Sequence, residues 1–264
     1  MSIDTSSVSA EAVAGYSQIG GARRIVFLRH GQTDYNVEHR FQGIIDIPLN
    51  SIGREQAVEG GQVLARRLAG GGRIGGLNAD YVSATAVRLV SSPLERAFNT
   101  AQALAEELKT LGVEVGEIAV DKRLLERSYG VFEGLDFDQI AEQYPEWLLE
   151  WRQTGESAGA GVEPGGVVGD RVREAVLEHA AEVPEGGTLV AVSHGAAIAR
   201  GVMSTIGLDP RHFDCIRGVD NVHWSELVLA GGGGSGASGA ARWRLASHHV
   251  GARPGGPGEG RDER

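Results

Sequence analysis

Four short groups of residues carry side chains able to hold and move a phosphoryl group, and each stands where a predicted strand or helix begins or ends. Arg29-His30-Gly31 directly follows the apolar run RIVFLR, and His194-Gly195 directly follows TLVAVS. Arg96 falls in the first turn of a helix that Pro93 opens, and Glu126 lies in an irregular segment flanked by glycines. A neutral imidazole is a competent nucleophile near pH 7. Guanidinium groups bind the oxygens of a phosphoryl group in a planar fork, and a carboxyl can give and take the proton of an ester oxygen. A lone histidine after a strand reads as structural. Two histidines, two arginines and one carboxyl together are what phosphoryl transfer through histidine requires.

These groups need a scaffold that brings distant parts of the chain to one edge. Residues 24–29, 87–90 and 188–193 are short apolar runs of the kind that form buried strands, and each stops at a histidine or at Ser-Ser-Pro. Between them lie helical periods. One runs over residues 51–69 through Ala57, Gly61, Leu64 and Leu68, and another carries Leu94, Ala97, Ala101, Leu104 and Leu108 on one face. Residues 137–151 read as helical around a break at Pro145, residues 169–183 as an amphipathic helix, and residues 222–229 and 243–248 as two further strands. Alternating strands and helices imply a three-layer α/β/α architecture with a largely parallel central sheet. Such sheets bind ligands at the carboxyl ends of their strands. His30 and His194 stand at two of those ends, so their distance along the chain does not separate them in space.

Composition bounds the partners. The 264 residues include stretches that cannot bury enough apolar surface to order themselves: residues 1–22, GGGGSGASGA at 231–240, and the tail 251–264. One domain is expected over residues 23–250, with flexible glycine-rich loops near 70–76, 155–166 and 231–240, the last a hairpin connection away from the chemistry. A net charge of −10 repels phosphate backbones and argues against nucleic acid, so an anionic ligand must be held by a local basic pocket. No run approaches the roughly 20 apolar residues of a membrane span, and no signal peptide is present, so the expected compartment is the cytoplasm, with no membrane partner. The single cysteine, Cys215, reads as a structural thiol. A homodimer is compatible with the sequence and not required by it. No P-loop, paired-cysteine or HExxH pattern is present.

LRHGQTDYN at residues 28–36 resembles the defining motif of the histidine phosphatase superfamily, also called phosphoglycerate-mutase-like, and RFQGIIDIPLNSIGREQA at 40–57 is similar to the segment that follows it there. SSPLERAFNTA at 91–101, LLERSYGVFEG at 124–134 and VSHGAAIAR at 192–200 complete the pattern in order. Asn221-Val222-His223-Trp224 and the final Arg242-Trp243-Arg244-Leu245 look most like actinobacterial phosphatases of that family. The resemblance implies that His30 attacks phosphorus to give a phosphohistidine, that Arg29, Arg96 and His194 clamp the phosphoryl oxygens, and that Glu126 is the proton donor and acceptor. It further implies substrate or phosphate contacts from Asn36, Gln42, Gly43, Tyr129 and Gly195. It calls for no cofactor and no metal. The substrate implied is a small phosphorylated metabolite, and the activity a phosphomonoesterase. Glu133 has the same reach on paper as Glu126. Turn geometry for Gly43, and helix or core satisfaction for Asn36, Gln42 and Tyr129, are the plain alternatives.

Two departures from the family bear on function. Gly165-Gly166 is followed by Val167-Val168 where family phosphatases often carry Glu-Ser, so a polar helix cap is missing from the pocket rim. Only Arg152 stands where the mutases of the family have a paired arginine, which favours a phosphatase over a phosphoglycerate mutase and leaves one arginine for a carboxylated substrate. A phospholigand-binding module without chemistry is the alternative of another class, against which stand the five intact catalytic positions. Trp224 and Trp243 are expected in the core. His248-His249, adjacent on a strand and so on opposite faces, are expected to be solvated, and His179 and His212 to be surface or helix-end residues.

Overall fold

Alternating burial explains the central strand. In β1 (Arg24–Arg29), Ile25 and Phe27 point into one hydrophobic layer while Val26 and Leu28 point into the other. The same alternation runs along β4 (Thr188–Ser193), where Leu189 and Ala191 face one layer and Val190 and Val192 the other. Strands buried on both faces read as continuous apolar runs, which is why the sequence showed them. The computed structural model describes residues 21–70, 86–211, 216–230 and 242–251. The expectations for residues 1–20, for the glycine stretches 71–76 and 231–240, for the tail from 252, and for His212 and Cys215 lie outside the described residues. Gly21 and Ala22, read as part of a disordered leader, are packed: Ala22 is buried and its N–H donates to Ala180 O at 3.0 Å.

The remaining strands are β2 (Val87–Ser91), β3 (Ala119–Val120), β5 (Trp224–Ala230) and β6 (Arg242–Val250). They form one sheet in the order β3-β2-β4-β1-β5-β6. The first four are parallel to one another, while β5 runs antiparallel to both β1 and β6. The two-residue β3 is too short to leave a periodic signal. β5 starts later than expected because Val222 takes a left-handed conformation, φ 54°, which interrupts the extended backbone just before Trp224.

Helix α1 (Asp34–Val37) is a single turn after the first strand. Helices α2 (Ser51–Ala69) and α3 (Glu95–Thr110) cover one face of the sheet through Leu64, Leu68, Ala101, Leu104 and Leu108. Two later helices, α6 (Gly165–Ala181) and α7 (Gly195–Ile206), cover the other through Val172, Val176, Ile198 and Val202. Between them, α4 (Phe137–Gln143) and α5 (Pro145–Thr154) break at Pro145 as expected. Trp224 and Trp243 are buried in opposite layers. A smaller aromatic cluster of Phe132, Ile140, Leu148, Ala160 and Val162, with Phe41, Tyr129 and Trp151 against it, joins α4 and α5 to residues 155–164.

Two expectations need correcting. The sixth helix begins at Gly165, four residues before the expected start at 169, although two glycines in a first turn disfavour helix. The reason is a cap from outside: Gly165 N–H donates to Glu156 Oε1 at 2.9 Å. The stretch 155–166, read as a flexible loop, is packed and hydrogen-bonded. Buried Arg127 donates to Gly155 O at 2.8 Å and to Glu163 O at 2.6 Å, and it pairs with Glu156.

The sheet also buries a charge that the apolar pattern did not announce. Glu226 on β5 is fully buried, paired with Arg24 at 2.9 Å and with Arg67, and accepting from Trp224 Nε1 at 2.8 Å. Burial alone would raise its pKa, but the hydrogen bonds and charges of these partners outweigh it and the net shift is downward. Its stabilisation is therefore present above the unfolded carboxyl pKa and is lost as pH falls through the folded one. Glu226→Ala, which leaves two guanidinium groups with no counter-charge, should cost about 3–5 kcal/mol in denaturant unfolding at pH 7. A loss under 1 kcal/mol would show that the triad does not stabilise the sheet.

Candidate active site

The parallel register Arg29↔Ser193 sets the last residues of β1 and β4 side by side, and the next residue of each chain is a histidine. The rings of His30 and His194 meet edge to face with centroids 5.1 Å apart, both buried. His30 N–H donates to Ser193 O at 3.1 Å, so the turn out of β1 is tied to β4. The His30 ring is oriented by its own turn. Nδ1 lies 2.7 Å from Gly31 O, and a carbonyl accepts only, so Nδ1 carries the proton and Nε2 keeps the lone pair. Gly31 is required here, because a Cβ would sit 2.3 Å from Gly53 O at the start of α2.

Burial, followed by the charges of Arg96 and Arg29, holds the pKa of His30 well below its usual 6.5. His194 is held down in the same way, first by burial and then by Arg96. Both rings are therefore neutral at pH 7. His194 Nε2 lies 2.8 Å from Ser92 Oγ, and Nδ1 accepts from Arg96 Nε at 3.3 Å. Arg96 reaches the site from the first turn of α3 and is fully buried. Its terminal nitrogens donate to Ile45 O at 2.7 Å and to Gly43 O at 2.9 Å. Burial lowers it to about 10 against the pull of Glu126 and Asp46, so it remains a cation. Arg29, half-buried at the end of β1, donates to Val219 O at 2.8 Å, and Gly195 lies against its guanidinium.

Glu126 comes in from the other side of the sheet edge. Its Oε1 accepts from Arg127 N at 2.8 Å and Ala197 N at 2.9 Å, and its Oε2 accepts from Ala196 N at 3.2 Å. The carboxylate thus sits on the amino end of α7, where the helix dipole favours negative charge. Glu133, the competing acid, is placed differently. Its Oε1 accepts from Tyr129 N at 2.9 Å, Ser128 Oγ at 3.1 Å and Ile44 N at 3.3 Å, which staples residues 43–44 to 128–129. Gly43 at φ 52° passes so close that a Cβ would lie 2.1 Å from that oxygen, so turn geometry accounts for this glycine.

The other expected contacts are partly engaged in the protein itself. Asn36 Oδ1 accepts from Thr33 N at 3.1 Å in a capping box and from Asn221 Nδ2 at 3.2 Å. Gln42 is buried and accepts from Thr33 Oγ1 at 2.9 Å. Tyr129 packs edge-on against Phe41 and Trp151, and burial together with the charge of Glu126 keeps its phenol protonated. Arg152 is exposed on α5, its guanidinium 5.8 Å from the centre of the Phe137 ring.

Several positioning residues escaped the sequence reading. Thr100 Oγ1 accepts from Gly31 N at 3.1 Å and donates to Arg96 O at 2.8 Å, joining the turn of His30 to the helix of Arg96. Arg171 donates to the carbonyls of Arg123, Leu125 and Glu126 at 2.7–3.0 Å, fixing the segment that carries Glu126. No local pattern marks either, since each acts across the fold on backbone atoms. Glu156 supplies from a distance the helix cap that Val167-Val168 does not.

Taken together, the sheet edge and its two neutral imidazoles between guanidinium groups define a histidine-centred phosphoryl-transfer site in an α/β fold. The model of the histidine phosphatase superfamily (branch 1) matches residues 25–238, and the chain belongs to that family. It is 35% identical over 231 residues to a glucosyl-3-phosphoglycerate phosphatase of Mycobacterium tuberculosis, a match that covers 85% of this chain and 93% of the relative. The native structure of a mycobacterial glucosyl-3-phosphoglycerate phosphatase superposes with a TM-score of 0.68 at 33% identity, covering 87% of this chain and all of the other. A probable phosphoglycerate mutase of Salmonella paratyphi C matches over 189 residues at 31% identity, 70% of this chain and 75% of the relative.

The depressed histidines give a direct test. Below pH 6.5 the unfolded chain takes up protons that the folded site refuses, so folding stability should fall as pH drops past that value. In histidine-selective NMR spectra, the His30 and His194 ring signals should stay at their neutral positions from pH 8 to pH 6. Titration of either with a midpoint at or above 6.5 would contradict the assigned electrostatics.

Proposed function

We propose that the chain is a phosphomonoesterase that carries the transferred phosphoryl group on His30 Nε2. The observation that carries this reading is the contact of His30 Nδ1 with Gly31 O, which leaves the opposite nitrogen unprotonated in a pocket whose positive charge comes from Arg29 and Arg96. In the first step the Nε2–P bond forms as the ester P–O bond breaks, and Glu126, which must enter this step protonated, gives that proton to the departing oxygen and is left as the carboxylate seated on α7. In the second step Glu126 takes a proton from water, the water oxygen bonds to phosphorus, and the P–N bond breaks to release phosphate. The transition state of each step leaves charge on the peripheral oxygens, which the two guanidinium groups and His194 offset.

The substrate is a small phosphorylated metabolite, and glucosyl-3-phosphoglycerate is the first to assay because relatives over most of the chain carry that activity in their names. Arg152, exposed on α5, is the arginine that the family resemblance offers to the carboxylate of such a substrate. The packing of residues 155–164 on Arg127 removes a loose rim as a reason to prefer hydrolysis over isomerisation. The preference rests on Arg152 standing alone in the sequence where the mutases carry a pair, and on the phosphatase relatives. The working unit is one domain over residues 23–250, acting in the cytoplasm. Among the described residues no helix is long and apolar enough to cross a membrane.

His30→Ala should abolish trapping of an acid-labile phosphoenzyme. Glu126→Gln should still be labelled yet turn over about 10²- to 10⁴-fold more slowly on an alkyl phosphate, with a smaller loss on an activated aryl phosphate. Equal losses on both substrates would remove Glu126 from the proton-transfer role. A panel of phosphomonoesters should be hydrolysed at the same rate with and without excess chelator, with glucosyl-3-phosphoglycerate among the best. Given 3-phosphoglycerate and a bisphosphoglycerate primer, the enzyme should form no 2-phosphoglycerate, and efficient interconversion would replace phosphatase by mutase.

A further inference from the structure

His249 was expected to be solvated beside His248, and the structure shows neither in that state. His248 turns to one side, its Nδ1 2.8 Å from Ser225 Oγ and its Nε2 2.9 Å from Arg217 O. His249 turns to the other. It sits near the end of β6 in a left-handed conformation, φ 56°, and its Nε2 lies 3.0 Å from Asp220 Oδ2. Its ring centroid is 4.7 Å from that of His223. Asp220, His223 and His249 are all half-buried, and one ligand atom from each lies within 4.8 Å of the others.

We propose that Asp220, His223 and His249 form a binding site for a divalent transition-metal ion of the zinc type, separate from the phosphoryl-transfer site. Two imidazoles and one carboxylate, with a further position open to water, are a ligand set that zinc takes and that calcium and magnesium do not favour. Tetrahedral zinc at about 2.0–2.1 Å from each donor holds its ligands about 3.3 Å apart, close to the present Asp220–His249 spacing and a small side-chain movement from the rest. Two features beyond proximity point the same way. His223 Nδ1 lies 3.0 Å from Asn221 O and donates to it, which fixes the tautomer and leaves Nε2 with its lone pair, as the outer hydrogen bond of a metal-ligating histidine does. The backbone is also strained on both sides of the cluster. Val222 at φ 54° is a conformation β-branched residues rarely adopt, and His249, whose ring meets Asp220, has φ 56°.

The ion would join the end of β6 to the segment that backs the catalytic residues. Val219 O accepts from Arg29, Asn221 Nδ2 donates to His30 O at 3.0 Å, and Val222 N–H donates to Arg29 O at 3.2 Å. Its role is to fasten this segment, and no step of phosphoryl transfer passes through it.

The test uses the full chain without a polyhistidine tag, stripped of metal by chelation and dialysis. Titration with Co²⁺ should produce a visible absorption band that saturates at one equivalent per chain, and Zn²⁺ should displace it and raise the melting temperature. D220N and H249N, the latter chosen because asparagine tolerates a left-handed backbone, should each weaken binding at least tenfold while hydrolysing an aryl phosphate at the wild-type rate. H223Q replaces H249N if the latter does not fold. Absence of stoichiometric binding in the wild type, or unchanged binding in either folded variant, would overturn the proposal and leave Asp220–His249 as an ion pair only.

Discussion

Parallel pairing of β1 with β4 decides where the two imidazoles lie, and the rest of the site is arranged around that distance. Arg29 opposes Ser193, so His30 and His194 leave neighbouring strands at the same level with their rings in contact. A one-residue slip in this register would turn every side chain of one strand to the opposite face, exchanging the layers that hold Phe27 and Leu28. The hydrophobic alternation that excludes the slip is therefore also what holds the histidines together. The core and the catalytic geometry have one cause.

Charge within that frame is organised around keeping the rings neutral. An imidazole this deeply buried loses the water that would stabilise its proton, and two neighbouring guanidinium groups repel it further. Arg96 itself is held by Gly43 O and Ile45 O, and its Nε donates to His194 Nδ1. In this arrangement His194 can present no proton on Nδ1. For it to donate to a phosphoryl oxygen, Arg96 must turn to the phosphate while the Ser92 hydroxyl donates to Nε2.

Most of the sheet, and the meeting of His30 with His194 at its edge, were legible in the sequence because strands buried on both faces are unbroken apolar runs, and because a histidine at a strand end interrupts such a run abruptly. Thr188–Ser193 has the expected limits for that reason, and Ser51–Ala69 has them because its apolar and small residues keep a helical period. What stayed hidden acts through backbone atoms or across long separations. Arg171 on three carbonyls, Thr100 between two motifs and Glu156 capping a helix nine residues away leave no periodic trace. The Arg24–Glu226 pair was concealed within apolar strands, and its partner Arg67 stands on a helix far away in sequence. The residues around 155–164 misled because their composition is that of a loose loop, while Arg127, at 1% exposure beneath the Trp151 ring, supplies the donors that hold their carbonyls.

The amino end of α7 shows how the same fold separates binding from proton transfer. A helix start offers N–H groups and a positive dipole end, and it would hold a phosphate well. Here the N–H groups of Ala196 and Ala197 are given to Glu126. A carboxylate thus occupies part of the place an anion would take, and under the proposed chemistry the phosphoryl group is left to side chains, Arg29, Arg96 and His194. Side chains can follow the phosphorus as it moves from the ester oxygen to the ring nitrogen and on to water, which fixed backbone donors cannot. The helix in turn gives Glu126 a rigid seat, with Oε2 held by the longer of its bonds and so the oxygen better placed to pass a proton. The glutamate is fixed on backbone donors while the proposed clamp is made of side chains, an allocation that suits a reaction in which one carboxyl must serve both the departing alcohol and the arriving water.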